Sequence, residues 1–254
     1  MTRDRHHPSR TLLLTEAPRA GLDLAALLAT WPLLTTAPRG DGHPVLVLPG
    51  LLTGDPATLV LRRVLRALGH DVSGWSLGTN RGATHRVVRE LRAQLDRLHR
   101  DSGRRVSLVG WSLGGLYAQE LARASPGSVR GLVTLGSPVQ RRMRWAQGVS
   151  RLVDRGAHLV PGTDGLHRPW AEPGPLRVPA TSVYTRADGI VQWTSCRYAP
   201  APRRQDVEVR GSHLGLATNP AVLWLLADRL AQPEDQWRPF RPPLLLRPLF
   251  PGGR

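Results

Sequence analysis

Val106-Ser107-Leu108-Val109-Gly110-Trp111-Ser112-Leu113-Gly114-Gly115 decides the reading of this chain. Its first four residues make a short, mainly apolar run of the kind a strand shows when it is buried on both faces. From Leu113 to Ala124 the apolar residues recur at helical spacing. Between the two lies Gly-x-Ser-x-Gly, so the serine falls on the turn that joins a buried strand to a helix. Such a turn is sharp and strained, and it lifts the hydroxyl above the sheet. Side chains at the flanking positions would meet neighbouring backbone, and glycine avoids this. Ser112 is therefore the candidate nucleophile.

A serine hydroxyl needs a base to take its proton. Among the histidines, His6, His7, His70, His85 and His99 precede the serine and fit the chain order of such sites poorly, while His158 and His167 fall in an irregular segment. His213, in Gly211-Ser212-His213-Leu214-Gly215, lies between the last expected strand and the last helix. The imidazole in turn needs a carboxylate to fix its tautomer. Asp188 follows the strand Ala180 to Tyr184 directly and is preferred over Asp206, at the start of a strand, and over Asp154 and Asp164. Two backbone donors should face the developing oxyanion: the N–H of Leu113, at a helix N-terminus, and that of Leu51, in Pro49-Gly50-Leu51-Leu52-Thr53-Gly54. Leu52, Trp111, Trp193 and Leu214 complete an apolar mouth suited to a hydrophobic acyl group.

Outward from this centre the alternation continues. Strands are expected at Val45 to Leu48, Asp71 to Leu77, Gly131 to Leu135, Ala180 to Tyr184 and Val207 to Val209. Helices are expected at Leu59 to Leu68, Val87 to Leu98 and Ala221 to Leu230. This rhythm predicts an α/β fold, a mostly parallel sheet with helices on both faces. Residues 139–176 break it and read as a short cap. Residues 1–40 read as an N-terminal helical extension on the outside of the core, without recognisable chemistry. The core spans 41–232, and residues 233–254 read as a Pro- and Arg-rich tail that lies along the surface or is partly disordered.

The motifs Leu48-Pro49-Gly50-Leu51, Gly110 to Gly115, Ala187 to Val191 and Gly211-Ser212-His213 together resemble the bacterial esterase and lipase branch of the α/β-hydrolase superfamily over residues 44–232. The resemblance implies a Ser112-Asp188-His213 triad, no cofactor or metal, and cleavage of carboxylic esters through an acyl-enzyme on Ser112. The same triad would serve an acyltransferase, and the fold could also carry a non-catalytic binding protein. Many relatives have His-Gly in the oxyanion loop where this chain has Pro49-Gly50; the donor is a backbone N–H, so the hole should survive the change.

Composition sets the outer bounds. The 254 residues suit one α/β domain. The net charge of +16 comes from 35 basic residues, all Arg and spread along the chain, with no nucleic-acid-binding motif. Nucleic acid is therefore not an expected partner; a lipophilic small-molecule ester is, and an anionic membrane or lipid surface is a second class. Cys196, the lone cysteine, excludes an internal disulfide and fits a cytoplasmic home. The apolar stretch Leu22 to Leu34, interrupted by Asp23, reads as an amphipathic helix that could sit peripherally at a membrane, not as a signal peptide.

Overall fold

A computed structural model describes residues 8–140 and 175–252 of the chain. Six strands form a single sheet: β1 (Pro44–Leu48), β2 (Asp71–Ser73), β3 (Val106–Trp111), β4 (Val129–Leu135), β5 (Ala180–Tyr184) and β6 (Arg204–Glu208). Their order is β2-β1-β3-β4-β5-β6, and every pairing is parallel. The helices are α1 (Arg10–Leu14), α2 (Glu16–Leu34), α3 (Leu59–Ala67), α4 (His85–Ser102), α5 (Leu113–Ala124) and α6 (Pro220–Ala231). The expected cap falls almost wholly outside the described residues, as do His158, His167, Asp154 and Asp164.

Alternation along each strand explains the two layers. In β1, Val45 and Val47 pack on one face with α2, α3 and α6, whereas Leu46 and Leu48 pack on the other with α4 and α5. Strand β3 repeats the division, with Val109 and Trp111 on the first face and Val106 and Leu108 on the second. Both faces are covered, so the central strands are apolar throughout.

Three elements differ from expectation. Strand β2 ends at Ser73, not Leu77, because the N–H groups of Trp75 and Ser76 both donate to the Asp55 carboxylate at 2.9 Å instead of to the sheet. Strand β6 begins at Arg204, where the polar Arg-Gln-Asp sequence of an edge strand hid it. The tail is anchored, since Phe240, Leu246 and Phe250 are buried in the first core layer while Leu244 and Leu245 stay exposed.

At the N-terminal rim of the sheet, His43 bridges Asp41 (Nδ1 to Oδ1, 2.6 Å) and Ser107 (Nε2 to Oγ, 2.8 Å). His70 packs edge-on against it at 5.2 Å, and neither ring nitrogen of His70 has a hydrogen-bond partner among the described residues. Burial first, and then the positive charge that His43 can carry, lower the His70 pKa to about 4 from 6.5. The unfolded chain thus takes up a proton here before the folded one does. Stability contributed by neutral His70 is complete above about pH 6.5 and is lost as pH falls toward 4. Thermal melts should show a steeper fall in Tm between pH 7 and pH 4 for the wild type than for His70→Leu, by about 3 °C or more; parallel curves would refute the assignment.

Candidate active site

All strands point the same way, so the segments that leave their C-terminal ends gather at one rim. Ser112 follows β3 at φ 54° and ψ −119°, a conformation that costs a non-glycine residue roughly 1–3 kcal/mol. Two features hold it there. The Ser112 N–H donates to Leu135 O at 2.8 Å on β4, and α5 lies almost against the sheet. A Cβ at Gly110 would stand 2.3 Å from the Gly115 Cα, and one at Gly114 would stand 2.2 Å from Leu48 O. No other residue permits that approach.

Asp188 and His213 meet across the ends of β5 and β6. The His213 Nδ1 lies 2.6 Å from Asp188 Oδ2. The other carboxylate oxygen accepts the N–H groups of Ile190 (2.8 Å) and Val191 (2.6 Å). The Asp188 carboxylate is thereby oriented from both sides. Both residues are buried. Burial works to lower the imidazole pKa, but the Asp188 charge and hydrogen bond, with the Glu16 charge behind them, prevail and raise it above 6.5. Asp206, the competing acid, instead accepts the Tyr198 N–H at 2.9 Å and pairs with Arg197.

Ser112 and His213 line one apolar pocket of about 200 Å³, together with Leu51, Leu52, Leu113 and Leu214. No hydrogen bond joins the serine hydroxyl to the imidazole in this structure; in ligand-free sites such bonds are commonly long and tighten when substrate binds. The Gly50 loop passes directly over the serine, for a Cβ at Gly50 would lie 3.3 Å from Ser112 Cβ. Within that loop the N–H groups of Leu52 and Thr53 are engaged by Asn80 O and Gly50 O. The Leu51 N–H is unengaged among the described residues, and the Leu113 N–H is one of the four at a helix start without an intrahelical acceptor.

Trp111 lines the pocket and also braces the His213 loop, donating from Nε1 to His213 O at 3.1 Å. Trp193, expected at the mouth, is not there. Its ring stacks on Tyr184 at 5.6 Å and lies beneath the Arg186 guanidinium, because the 3-10 turn Trp193–Cys196 folds it back onto the end of β5.

No family model and no curated protein matches the sequence. Solved structures do. A metagenome-derived lipolytic enzyme is 15% identical with a TM-score of 0.56, the match covering 77% of this chain and 94% of that one. The pyrethroid hydrolase PytH is 17% identical with a TM-score of 0.55, over 77% and 100%. A monoacylglycerol lipase from Paleococcus ferrophilus is 16% identical with a TM-score of 0.50, over 75% and 96%. The chain has the α/β-hydrolase fold.

Several residues around this hydrolase-fold site carried no readable signal. Asn80, fully buried, ties the Gly50 loop down through its side-chain amide to Pro49 O (2.9 Å) and is itself held by the Tyr117 hydroxyl (3.0 Å). Ile190 and Val191 line the pocket although they follow the acid as ordinary apolar residues. Among the described residues no cluster of His, Cys, Asp and Glu could hold a metal ion, and no helix is long and apolar enough to cross a membrane. The Asp41-His43-Ser107 chain at the opposite rim has triad-like hydrogen bonds, but Ser107 sits within β3 and His43 is fully buried, so it pins β1 to β3.

The close contact of α5 makes a sharp test. Gly110→Ala forces backbone apart and should lower Tm by about 10 °C or prevent folding. Gly127→Ala, whose Cβ would meet nothing within 4 Å, should leave Tm within about 2 °C. Equal melts by differential scanning calorimetry would show that the Gly110–Gly115 turn, the elbow between β3 and α5, is not tightly packed.

Proposed function

We propose that this chain is a serine hydrolase that cleaves carboxylic esters with an apolar acyl group. The observation that carries the reading is the pocket shared by a strained Ser112 and a buried His213, the latter hydrogen-bonded to Asp188 at 2.6 Å. The lipase and hydrolase names of the structural neighbours support the same chemistry.

In this reading His213 Nε2 takes the Ser112 proton as Oγ attacks the acyl carbonyl. Asp188 holds the Nδ1 proton and stabilises the imidazolium. The N–H groups of Leu51 and Leu113 stabilise the oxyanion, a contribution of about 3–4 kcal/mol per donor in comparable sites. The imidazolium then protonates the leaving alcohol. Water, deprotonated by His213, releases the acid from the acyl-enzyme. The leucines at the rim favour lipophilic acyl chains because they gain by being covered, and Leu52 and Leu214, 54% and 38% exposed, have the most to gain.

A chain-length series of p-nitrophenyl esters tests this directly. Wild type should hydrolyse them, and Ser112→Ala should lose about 10⁴-fold or more in kcat while remaining folded. A fluorophosphonate should label wild type and not the variant. Because His213 must be neutral to act as base and its pKa is raised, kcat/KM should fall on the acid side with a midpoint above pH 6.5. Full activity in Ser112→Ala would end the proposal.

A further inference from the structure

The N-terminal helix α2 carries charged residues at positions 16, 19 and 23, a spacing that sets them on one face. That face is not solvated. Glu16 is 2% exposed and Asp23 9% exposed, and both reach into the loops that carry the acid and the base. Glu16 Oε1 accepts the Gly189 N–H at 2.7 Å, and its Oε2 accepts the Leu214 N–H at 3.0 Å. Gly189 directly follows Asp188, and Leu214 directly follows His213. One carboxylate therefore spans the two loops at the residues next to the proposed acid and base.

Its neighbours grip the same loops. Arg19 pairs with Glu16 at 2.9 Å and donates to Ala187 O at 2.8 Å, just before the acid. Asp23 accepts the N–H and hydroxyl of Ser212, at 3.1 and 2.9 Å, just before the base, and also takes the Asn219 amide. The fit is tight, since a Cβ at Gly215 would lie 1.9 Å from Asp23 Oδ2 and one at Gly189 would lie 2.5 Å from the Leu12 carbonyl carbon. A buried charge costs several kcal/mol in desolvation. Satisfying two loop N–H groups does not by itself call for one.

Resting on the serine-hydrolase reading, we propose that Glu16 is a positioning residue of the active site, its carboxylate setting the distance between the acid loop and the base loop. The charged groups facing His213 are Asp188 from the β5 loop and Glu16, with Arg19 and Asp23 behind them on α2; the Trp111 ring and Gly136, at the ends of β3 and β4, face it uncharged. Removing the Glu16 charge leaves Asp188 as the near anion and weakens the hold on the imidazolium.

The test compares wild type with Glu16→Gln, Glu16→Asp and Leu27→Ala. Leu27 is a buried apolar residue of α2 that carries no polar side-chain group to either loop, so Leu27→Ala reports the loss of helix packing without loss of the Glu16 hydrogen bonds. With p-nitrophenyl butyrate, Glu16→Gln should lower kcat about ten- to a hundredfold with little change in KM, and move the acid limb of kcat/KM to lower pH. Glu16→Asp, which keeps the charge on a shorter arm, should lower kcat but leave the limb where wild type has it. Should Glu16→Gln not fold, that pattern in Glu16→Asp, set against Leu27→Ala, decides the matter. Proton NMR of the His213 Nδ1–H, assigned with His213→Asn, reads the same titration without turnover. A His213 titration unmoved in Glu16→Gln, or a kcat loss that merely follows Tm as in Leu27→Ala, overturns the proposal. A wild type that neither cleaves ester nor reacts with fluorophosphonate, yet shows the NMR shift, instead removes the hydrolase reading and keeps the role of Glu16 toward His213.

Discussion

The approach of helix α5 to the sheet is the constraint on which the site depends. Glycine at 110 and 114 lets backbone meet backbone where any side chain would collide, and the chain can then turn from β3 into α5 only by forcing Ser112 into a positive-φ conformation. The strain is sustained by the packing of β1, β3 and β4 around it, whose buried apolar side chains far outweigh a cost of roughly 1–3 kcal/mol. The same turn leaves the Leu113 N–H, at the start of α5, without an intrahelical acceptor.

Around that fixed point the polar groups form a second framework. Asp188 is held by two backbone N–H groups, His213 by Asp188 on one side and by the Trp111 indole at its carbonyl, and the Gly50 loop by Asn80. Asp188, His213, Trp111 and Asn80 are all buried, so their hydrogen bonds act at low dielectric, where an unmade partner is costly. The arrangement keeps the imidazole more basic than burial alone would allow. Helix α2 joins this framework through Glu16, Arg19 and Asp23.

The elements themselves were legible in the sequence because their signals are local. Val45 to Leu48 reads as a doubly buried strand, Leu113 to Ala124 as a helix, and Gly-x-Ser-x-Gly as the turn between, since sterics act over a few residues. Ser112, His213 and Asp188 could be singled out as candidates from motif and chain order, and the fold brings them to one rim. Trp193 shows the limit of that logic, for a 3-10 turn of four residues carried it from the mouth to the Tyr184 ring.

What the sequence alone determined is the layered parallel sheet and the turn chemistry of the elbow, because period-2 and period-3.6 patterns and glycine sterics are written in neighbouring residues. Only the tertiary structure decided how the rim is braced. Glu16 meets Gly189 across 173 positions and Leu214 across 198, and no local pattern distinguishes a buried carboxylate at the start of a helix from a solvated one. Its meaning depends on which loops the parallel topology brings to that helix, and topology is a property of the whole chain.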